Sequence, residues 1–183
     1  MKKKTIWDMN RPSIEDFRRS DKMPLTVVVD NVRSLNNIGS IFRTADGFAI
    51  ERVVLCGISA TPPSPEIHKT ALGAENSVEW AYCQSTLEAI ERLKSEGTVI
   101  CCLEQVIDSV ALQDFTPDFA GGKSYAFVVG NEVDGVDPAV VDVCDVCIEI
   151  PQLGTKHSLN VAVSAGITMW HFFETYLKNH AHD

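Results

Sequence analysis

The sequence predicts an α/β fold in which a mostly parallel sheet is flanked by helices. Short apolar segments rich in valine and isoleucine alternate with segments whose apolar residues recur at helical spacing. The apolar segments are nearly continuous, which is typical of strands that are buried on both faces of a parallel sheet. The length of 183 residues suits one domain with a sizeable core.

Residues 1–24 are expected to form an N-terminal arm, and residues 25–183 the folded domain. Pro12 suits the start of a short helix in the arm. The elements predicted from there to the middle of the chain are a helix over 13–19, strands over 25–30 and 52–56, helices over 38–48 and 65–72, and a strand over 78–82.

The second half of the chain continues the alternation. Ser85 and Glu88 form a capping box that opens a helix to Glu96, and Gly97 ends it. The remaining predicted elements are strands over 98–103, 124–129 and 146–150, a short helix opened by Asp137 and Pro138, and a long helix over 158–178.

The net charge of −9 argues at first against a nucleic-acid partner, but the charge is unevenly distributed. Residues 1–52 hold 10 of the 16 basic and 7 of the 25 acidic side chains, so this segment is basic. A local basic face can bind phosphate on an acidic protein. The alternative is a solvated segment with no binding role.

Several classes of function are disfavoured. No apolar run is long enough to cross a bilayer, and no apolar region follows the N-terminal lysines as in a signal peptide. Residues 121–124 resemble the end of a phosphate-binding P-loop, but position 117 is proline and the segment precedes a strand. Cys144 and Cys147 form a lone CxxC pair, so no metal is expected, and the six cysteines fit buried thiols in a reducing cytoplasm.

Three polar segments follow predicted strands, at the sheet edge where α/β folds bind ligands. The first is 36–45, in which Asn36 or Asn37 can cap a helix, Gly39 permits close backbone approach, and Arg43 follows Asn36 by about two turns. A guanidinium there can bind a phosphate or polarise a hydroxyl. The alternative is a helix cap followed by a surface arginine.

The second segment is 127–136, where a strand runs into Gly130 and then polar groups. Gly130 would let a ligand lie against the backbone, and Glu132 is placed to fix a cation, Arg43 being the candidate. The alternative is a strand-ending turn with Asp134 and Gly135 at its bend.

The third segment is 148–163, in which a loop connects a strand to the long helix. Ser158 suits the N-cap of that helix, and Asn160 is out of place in an apolar helix start unless its amide has a partner. The alternative is an Asn160 that is satisfied by a neighbouring carbonyl.

The ordered trio N-N-x-G-x-x-x-R-T, G-N-E-x-x-G and I-P-x-x-G-x-x-x-S-L-N-V resembles the three signature motifs of the SpoU/TrmH class of SPOUT methyltransferases. The trio spans roughly residues 25–178. The resemblance implies a fold with a C-terminal deep trefoil knot, an S-adenosylmethionine cofactor, and a homodimer formed through the first and last helices. It further implies methyl transfer to a ribose 2'-hydroxyl of RNA.

Site residues also follow from the resemblance. The positions that match the family's catalytic residues are Asn36, Arg43, Glu132, Ser158 and Asn160. Those that match the cofactor pocket are Leu103, Gly130, Ile150, Gln152, Ser158 and Leu159. In this interpretation Arg43 contacts the hydroxyl or the adjacent phosphate, Glu132 orients Arg43, and no metal takes part.

The pattern around Gln152, where many members have methionine, is closer to members that methylate a D-loop guanosine in tRNA. No separate RNA-binding domain precedes the first strand, which also favours a compact substrate such as tRNA over rRNA. The alternatives are an rRNA methyltransferase, a non-catalytic RNA-binding SPOUT protein, and a methyltransferase for a protein or small molecule.

Overall fold

The computed structural model describes residues 1 and 3–180, so Lys2 of the predicted basic segment and residues 181–183 lie outside the described residues. The strands are β1 (Met23–Asp30), β2 (Ile50–Cys56), β3 (Glu79–Cys83), β4 (Val99–Leu103), β5 (Val110–Ala111), β6 (Tyr125–Val129) and β7 (Val146–Glu149). The helices are α1 (Ile14–Arg19), α2 (Leu35–Gly47), α3 (Pro65–Ala71), α4 (Thr86–Ser95), α5 (Pro138–Val141) and α6 (Val161–His180). Short 3-10 turns occur at Ile6–Met9, Ala74–Asn76 and Leu112–Asp114.

The strands form one sheet in the order β3-β2-β1-β6-β4-β7-β5, and its six strand pairs are parallel. The predicted α/β fold is therefore confirmed. Four strands that are distant in sequence, β1, β6, β4 and β7, are neighbours at the centre. Their carboxyl ends meet at one edge, which places the segments that follow them side by side.

The two faces of the sheet are covered by different helices because successive side chains of a strand point in opposite directions. Val27 and Val29 of β1 face α2 and α6, where Phe42 and Phe172 are fully buried. Val28 faces the other side, toward α4 and α5. Burying each large apolar side chain contributes about 1.5–3 kcal/mol, so the double-sided core dominates the stability of the sheet.

Gly39 of α2 is where two helices approach each other closely. A Cβ atom at this position would overlap the Ile67 carbonyl and the Thr70 hydroxyl of α3. The close backbone approach expected at Gly39 is therefore made by α3.

The start of α2 and the existence of β5 differ from the predictions. Helix α2 begins at Leu35, because the hydroxyl of Ser34 accepts a hydrogen bond from the Asn37 amide at 3.3 Å and caps the helix. The expectation that Asn36 or Asn37 is the cap was wrong. Strand β5 was not predicted, since two residues carry no periodic signal.

The six cysteines are free, as expected, and Cys56, Cys101 and Cys102 are buried. Burial raises the pKa of the Cys56 thiol to about 12. Within residues 1 and 3–180, no three His, Cys, Asp or Glu side chains are grouped so that they could hold a metal ion. In the same residues, no helix combines the length and apolar character needed to cross a membrane.

Candidate functional site

A cavity of about 490 Å³ lies at the carboxyl ends of β6, β4 and β7. Its walls are the segments that follow these strands, together with the start of α6 and part of α5. The residues predicted for the cofactor pocket all line it, namely Leu103, Gly130, Ile150, Gln152, Ser158 and Leu159. Its volume falls within the roughly 300–1,000 Å³ typical of small-molecule sites.

The wall after β6 is a tight loop from Gly130 to Gly135. The Asn131 amide donates to the Gly135 carbonyl at 3.2 Å, and the Gly135 amide donates back at 3.1 Å. The Asn131 side-chain oxygen accepts from the amides of Val133 and Asp134, each at 2.9 Å. A Cβ atom at Gly130 would overlap the backbone of Gly135, so the absence of a side chain at Gly130 allows the loop to fold back against it.

The wall after β7 ends at the N-terminus of α6, and here the prediction for Ser158 was wrong. The Asn160 side-chain oxygen accepts from the Ala162 amide at 3.0 Å and the Val163 amide at 3.3 Å, so Asn160 caps the helix. Ser158 stays outside the helix and lines the cavity. An asparagine caps as well as a serine does, and sequence alone could not rank the two.

A hydrogen-bonded chain of three side chains joins the three polar segments. The Asn160 amide donates to the side-chain oxygen of Asn37 at 3.1 Å. The Asn37 amide in turn donates to Glu132 Oε1 at 2.5 Å. Asn160 thus has the partner that its amide was predicted to need, and residues 95 and 123 positions further along the chain converge on Asn37.

Asn37, not the predicted Asn36, is the residue that joins this chain. The Asn36 side chain is exposed, and its backbone carbonyl accepts from the hydroxyls of Ser40 and Thr70. The two adjacent asparagines showed where on the chain the site residue lies, but only the orientation of α2 decides which of the two side chains faces Glu132.

Arg43 lies elsewhere on α2. It is exposed and borders a groove between α1 and α3 that also includes Arg11, Phe17 and Asp46. Asn37 and Arg43 are six residues apart, about 1.7 helical turns, so they project from different sides of α2. The predicted contact between Glu132 and Arg43 is therefore replaced by the bond from Asn37, and within the described residues Arg43 forms no salt bridge.

The cavity is strongly acidic. Five carboxylates line it, namely Glu104, Glu132, Asp134, Asp142 and Glu149, and no lysine or arginine of residues 1 and 3–180 does so. A site of this kind favours a positively charged ligand, since each carboxylate contributes an attractive Coulomb energy that increases as water is excluded.

The chain belongs to the SpoU rRNA Methylase family, whose model matches residues 24–170. A 23S rRNA (guanosine-2'-O-)-methyltransferase, RlmB, from Nitrosomonas europaea is 31% identical over 172 residues, which cover 91% of this chain and 62% of the relative. The chain thus spans about three fifths of the length of such curated relatives.

Two solved structures share the fold and a quarter of the sequence. The A. aeolicus TrmH/SpoU tRNA modifying enzyme has a TM-score of 0.78 and 25% identity, over 91% of this chain and 84% of that one. An AdoMet-bound rRNA methyltransferase from Sinorhizobium meliloti has a TM-score of 0.76 and 26% identity, over 86% of this chain and 59% of that one.

Proposed function

We propose that this protein transfers the methyl group of S-adenosylmethionine to a ribose 2'-hydroxyl of RNA. The observation that carries the proposal is the convergence of the three polar segments through the bonds of Asn37 to Glu132, which lines the cavity, and to Asn160. Family membership and the names of the relatives support the same reaction.

The cavity fits S-adenosylmethionine in size and charge. Its acidic lining complements the sulfonium and ammonium groups, and exposed backbone at Gly130 and Ile150 offers hydrogen-bond partners to the rest of the molecule. The AdoMet-bound neighbour from Sinorhizobium meliloti supports this assignment. When bound, the cofactor supplies an activated methyl group on a good leaving group, so the protein's task is to orient and activate the hydroxyl.

The side-chain roles follow from the contacts. Glu132 accepts from the nitrogen of the Asn37 amide and Asn160 donates to its oxygen, so the two bonds fix the direction of this amide. Ser158, on the cavity wall, is placed to hold the loop or the substrate. The proposal that Arg43 contacts the hydroxyl or its adjacent phosphate and favours the developing alkoxide rests on the motif, because in this chain Arg43 borders the groove between α1 and α3 and not the cavity.

We propose a homodimer formed through α6. This helix buries one side in the core and exposes a second apolar stripe, Val163, Ile167, Trp170 and Leu177, of which Trp170 is 50% exposed. The stripe residues are spaced by 4, 3 and 7 positions, so they lie on one face of the helix, as in a helix-to-helix seam. Light scattering should give a dimer for the wild type, whereas the Ile167→Glu and Trp170→Glu double variant should be a monomer that keeps its circular dichroism spectrum.

We propose tRNA as the first substrate to test, because of the pattern around Gln152, and rRNA as the second, because the RlmB relatives are named for 23S rRNA. The trefoil knot, the boundary at residue 24 and a cytoplasmic location also stay predictions.

The test is methyl transfer from labelled S-adenosylmethionine to unmodified tRNA and rRNA, followed by nucleoside mass spectrometry. A 2'-O-methylnucleoside should form with the wild type and be lost with Arg43→Ala, while cofactor affinity stays nearly unchanged. Equal losses of affinity and turnover in Arg43→Ala would assign Arg43 a structural role. A wild type that binds S-adenosylmethionine but modifies neither RNA contradicts the proposed substrate class, and one that binds none favours the non-catalytic alternative.

A further inference from the structure

Two carboxylates reach the loop after β6 from the strands on either side of it. β6 lies between β1 and β4, Asp30 is the last residue of β1, and Glu104 directly follows β4. The Val136 amide donates to Glu104 Oε2 at 3.1 Å, and the next amide, that of Asp137, donates to Asp30 Oδ2 at 3.2 Å. Consecutive amides of the loop are thus held from opposite sides.

Asp30 is buried, with 1% of its surface exposed, and it is not among the residues that line the cavity. Its second oxygen accepts from the Thr86 hydroxyl at 2.5 Å and from the Asn31 side-chain amide at 3.0 Å. Its described partners are hydrogen-bond donors without charge, and burying a carboxylate on such partners is costly. The position therefore serves to hold groups in place, and it connects the loop to the start of α4.

The Glu104 carboxylate, like that of Asp30, is held through both of its oxygens. Its other oxygen accepts from the Gln105 amide at 2.8 Å, and the backbone amide of Glu104 donates to the Ile148 carbonyl of β7 at 3.1 Å. Gly135 has a φ of +70°, and a Cβ atom there would overlap the Glu104 carboxylate. The side-chain amide of the neighbouring Gln105 donates to the His157 carbonyl at 3.3 Å. This bond connects the cavity wall that follows β7 to the residue next to Glu104.

We propose that Glu104 and Asp30 are positioning residues that clamp the Gly130–Asp137 loop, and thereby set both the backbone wall of the cofactor cavity and the place of Glu132. The inference rests on the proposed function for its consequence in cofactor binding. The clamp itself is a property of the fold and can be measured without a cofactor.

Hydrogen exchange at the loop amides is the direct test, since an amide that loses its acceptor opens more often. In the apo protein, Glu104→Ala should raise exchange at Val136 about tenfold, whereas Glu104→Gln keeps an acceptor oxygen and should restore most of the protection. Glu149→Ala is the matched control, because it removes another carboxylate from the same cavity with no loop amide bonded to it. It should leave exchange at Val136 unchanged.

Asp30 is buried, so the experiment perturbs it indirectly through Thr86→Val, which removes one hydrogen-bond donor to the Asp30 carboxylate. This variant should raise hydrogen exchange at the Asp137 amide and leave exchange at the Ile100 amide in the core unchanged. Unchanged exchange at Val136 in Glu104→Ala, or equal exchange in the Ala and Gln variants, would overturn the clamp.

Calorimetric titration of S-adenosylmethionine then tests the consequence. Affinity should fall about tenfold in Glu104→Ala, recover in Glu104→Gln, and fall less in Glu149→Ala. Equal affinities in Glu104→Ala and Glu149→Ala would refute the positioning role even if the loop loosens. A wild type that binds no S-adenosylmethionine would refute the proposed function, and the exchange results would still decide the clamp.

Discussion

Replacing Asn37 by alanine should disable the site while leaving the fold intact. The variant removes the donor to Glu132 at 2.5 Å and the acceptor for Asn160 at 3.1 Å. Asn160 retains its capping bonds to Ala162 and Val163, so α6 should still begin at the same residue. What is lost is the side chain that ties the three polar segments together.

The magnitude follows from the two bonds. A hydrogen bond to a charged group contributes about 1.5–3 kcal/mol and a neutral one about 0.5–1.5 kcal/mol. Glu132 and Asn160 are exposed and Asn37 is half-buried, so the lower ends apply and the sum is about 2 kcal/mol. If this energy orients groups in the transition state, the rate should fall roughly 30-fold.

The assay is single-turnover methyl transfer from labelled S-adenosylmethionine to the RNA that the wild type modifies. Asn36→Ala is the matched control, since the neighbouring side chain is exposed and only its backbone carbonyl accepts hydrogen bonds. Its rate should stay within about threefold of the wild type, a difference of less than 1 kcal/mol. Equal losses in the two variants, or a loss confined to Asn36→Ala, would refute the assignment of Asn37.

Three further predictions concern the fold and the loop. Phe172→Ala should lower the free energy of unfolding by about 3–5 kcal/mol in urea titration, because the ring is fully buried against Phe115, Tyr125 and Phe127; a loss below 1 kcal/mol would contradict this packing. Gly130→Ala should weaken S-adenosylmethionine binding in calorimetry, because a Cβ would push the Gly135 backbone into the cavity; unchanged affinity would refute the tight loop. Burial would raise the pKa of Asp145, but hydrogen bonds from Lys94 and the Ile100 amide outweigh it and hold that pKa below its ordinary value of 3.8. The carboxylate therefore stabilises the folded state at neutral pH and loses this effect as the pH falls from about 4 through the lowered pKa. Asp145→Asn should be destabilising at pH 7, and the difference should shrink as the pH falls below about 4; a constant difference would contradict the sign.

Local patterns in the sequence predicted most of the elements. Continuous apolar segments marked buried parallel strands, and Ser85 marked a helix start that the structure confirms through a bond from the Glu88 amide. The six pocket residues came from the resemblance to the SpoU/TrmH class, and they line one cavity. Periodicity and capping act within a few residues, so they can be read without the rest of the chain.

Other features depended on the sheet order, which no local pattern contains. The neighbourhood of β1, β6, β4 and β7 brings Asp30 and Glu104 to either side of the same loop. The choice of Asn37 over Asn36, and the place of Arg43 away from Glu132, depend on the rotation of α2 about its axis, which packing against α3 at Gly39 and against α6 fixes.

The sequence by itself therefore determined the class of fold, the family and the segments that form the site. The tertiary structure decided which side chains meet within it. Glu132 and Asn37 are 95 positions apart, and Asn160 and Asn37 are 123 apart. Bonds over such separations form only when packing of the whole core fixes the relative positions of β6, α2 and α6, so their partners cannot be read from local spacing.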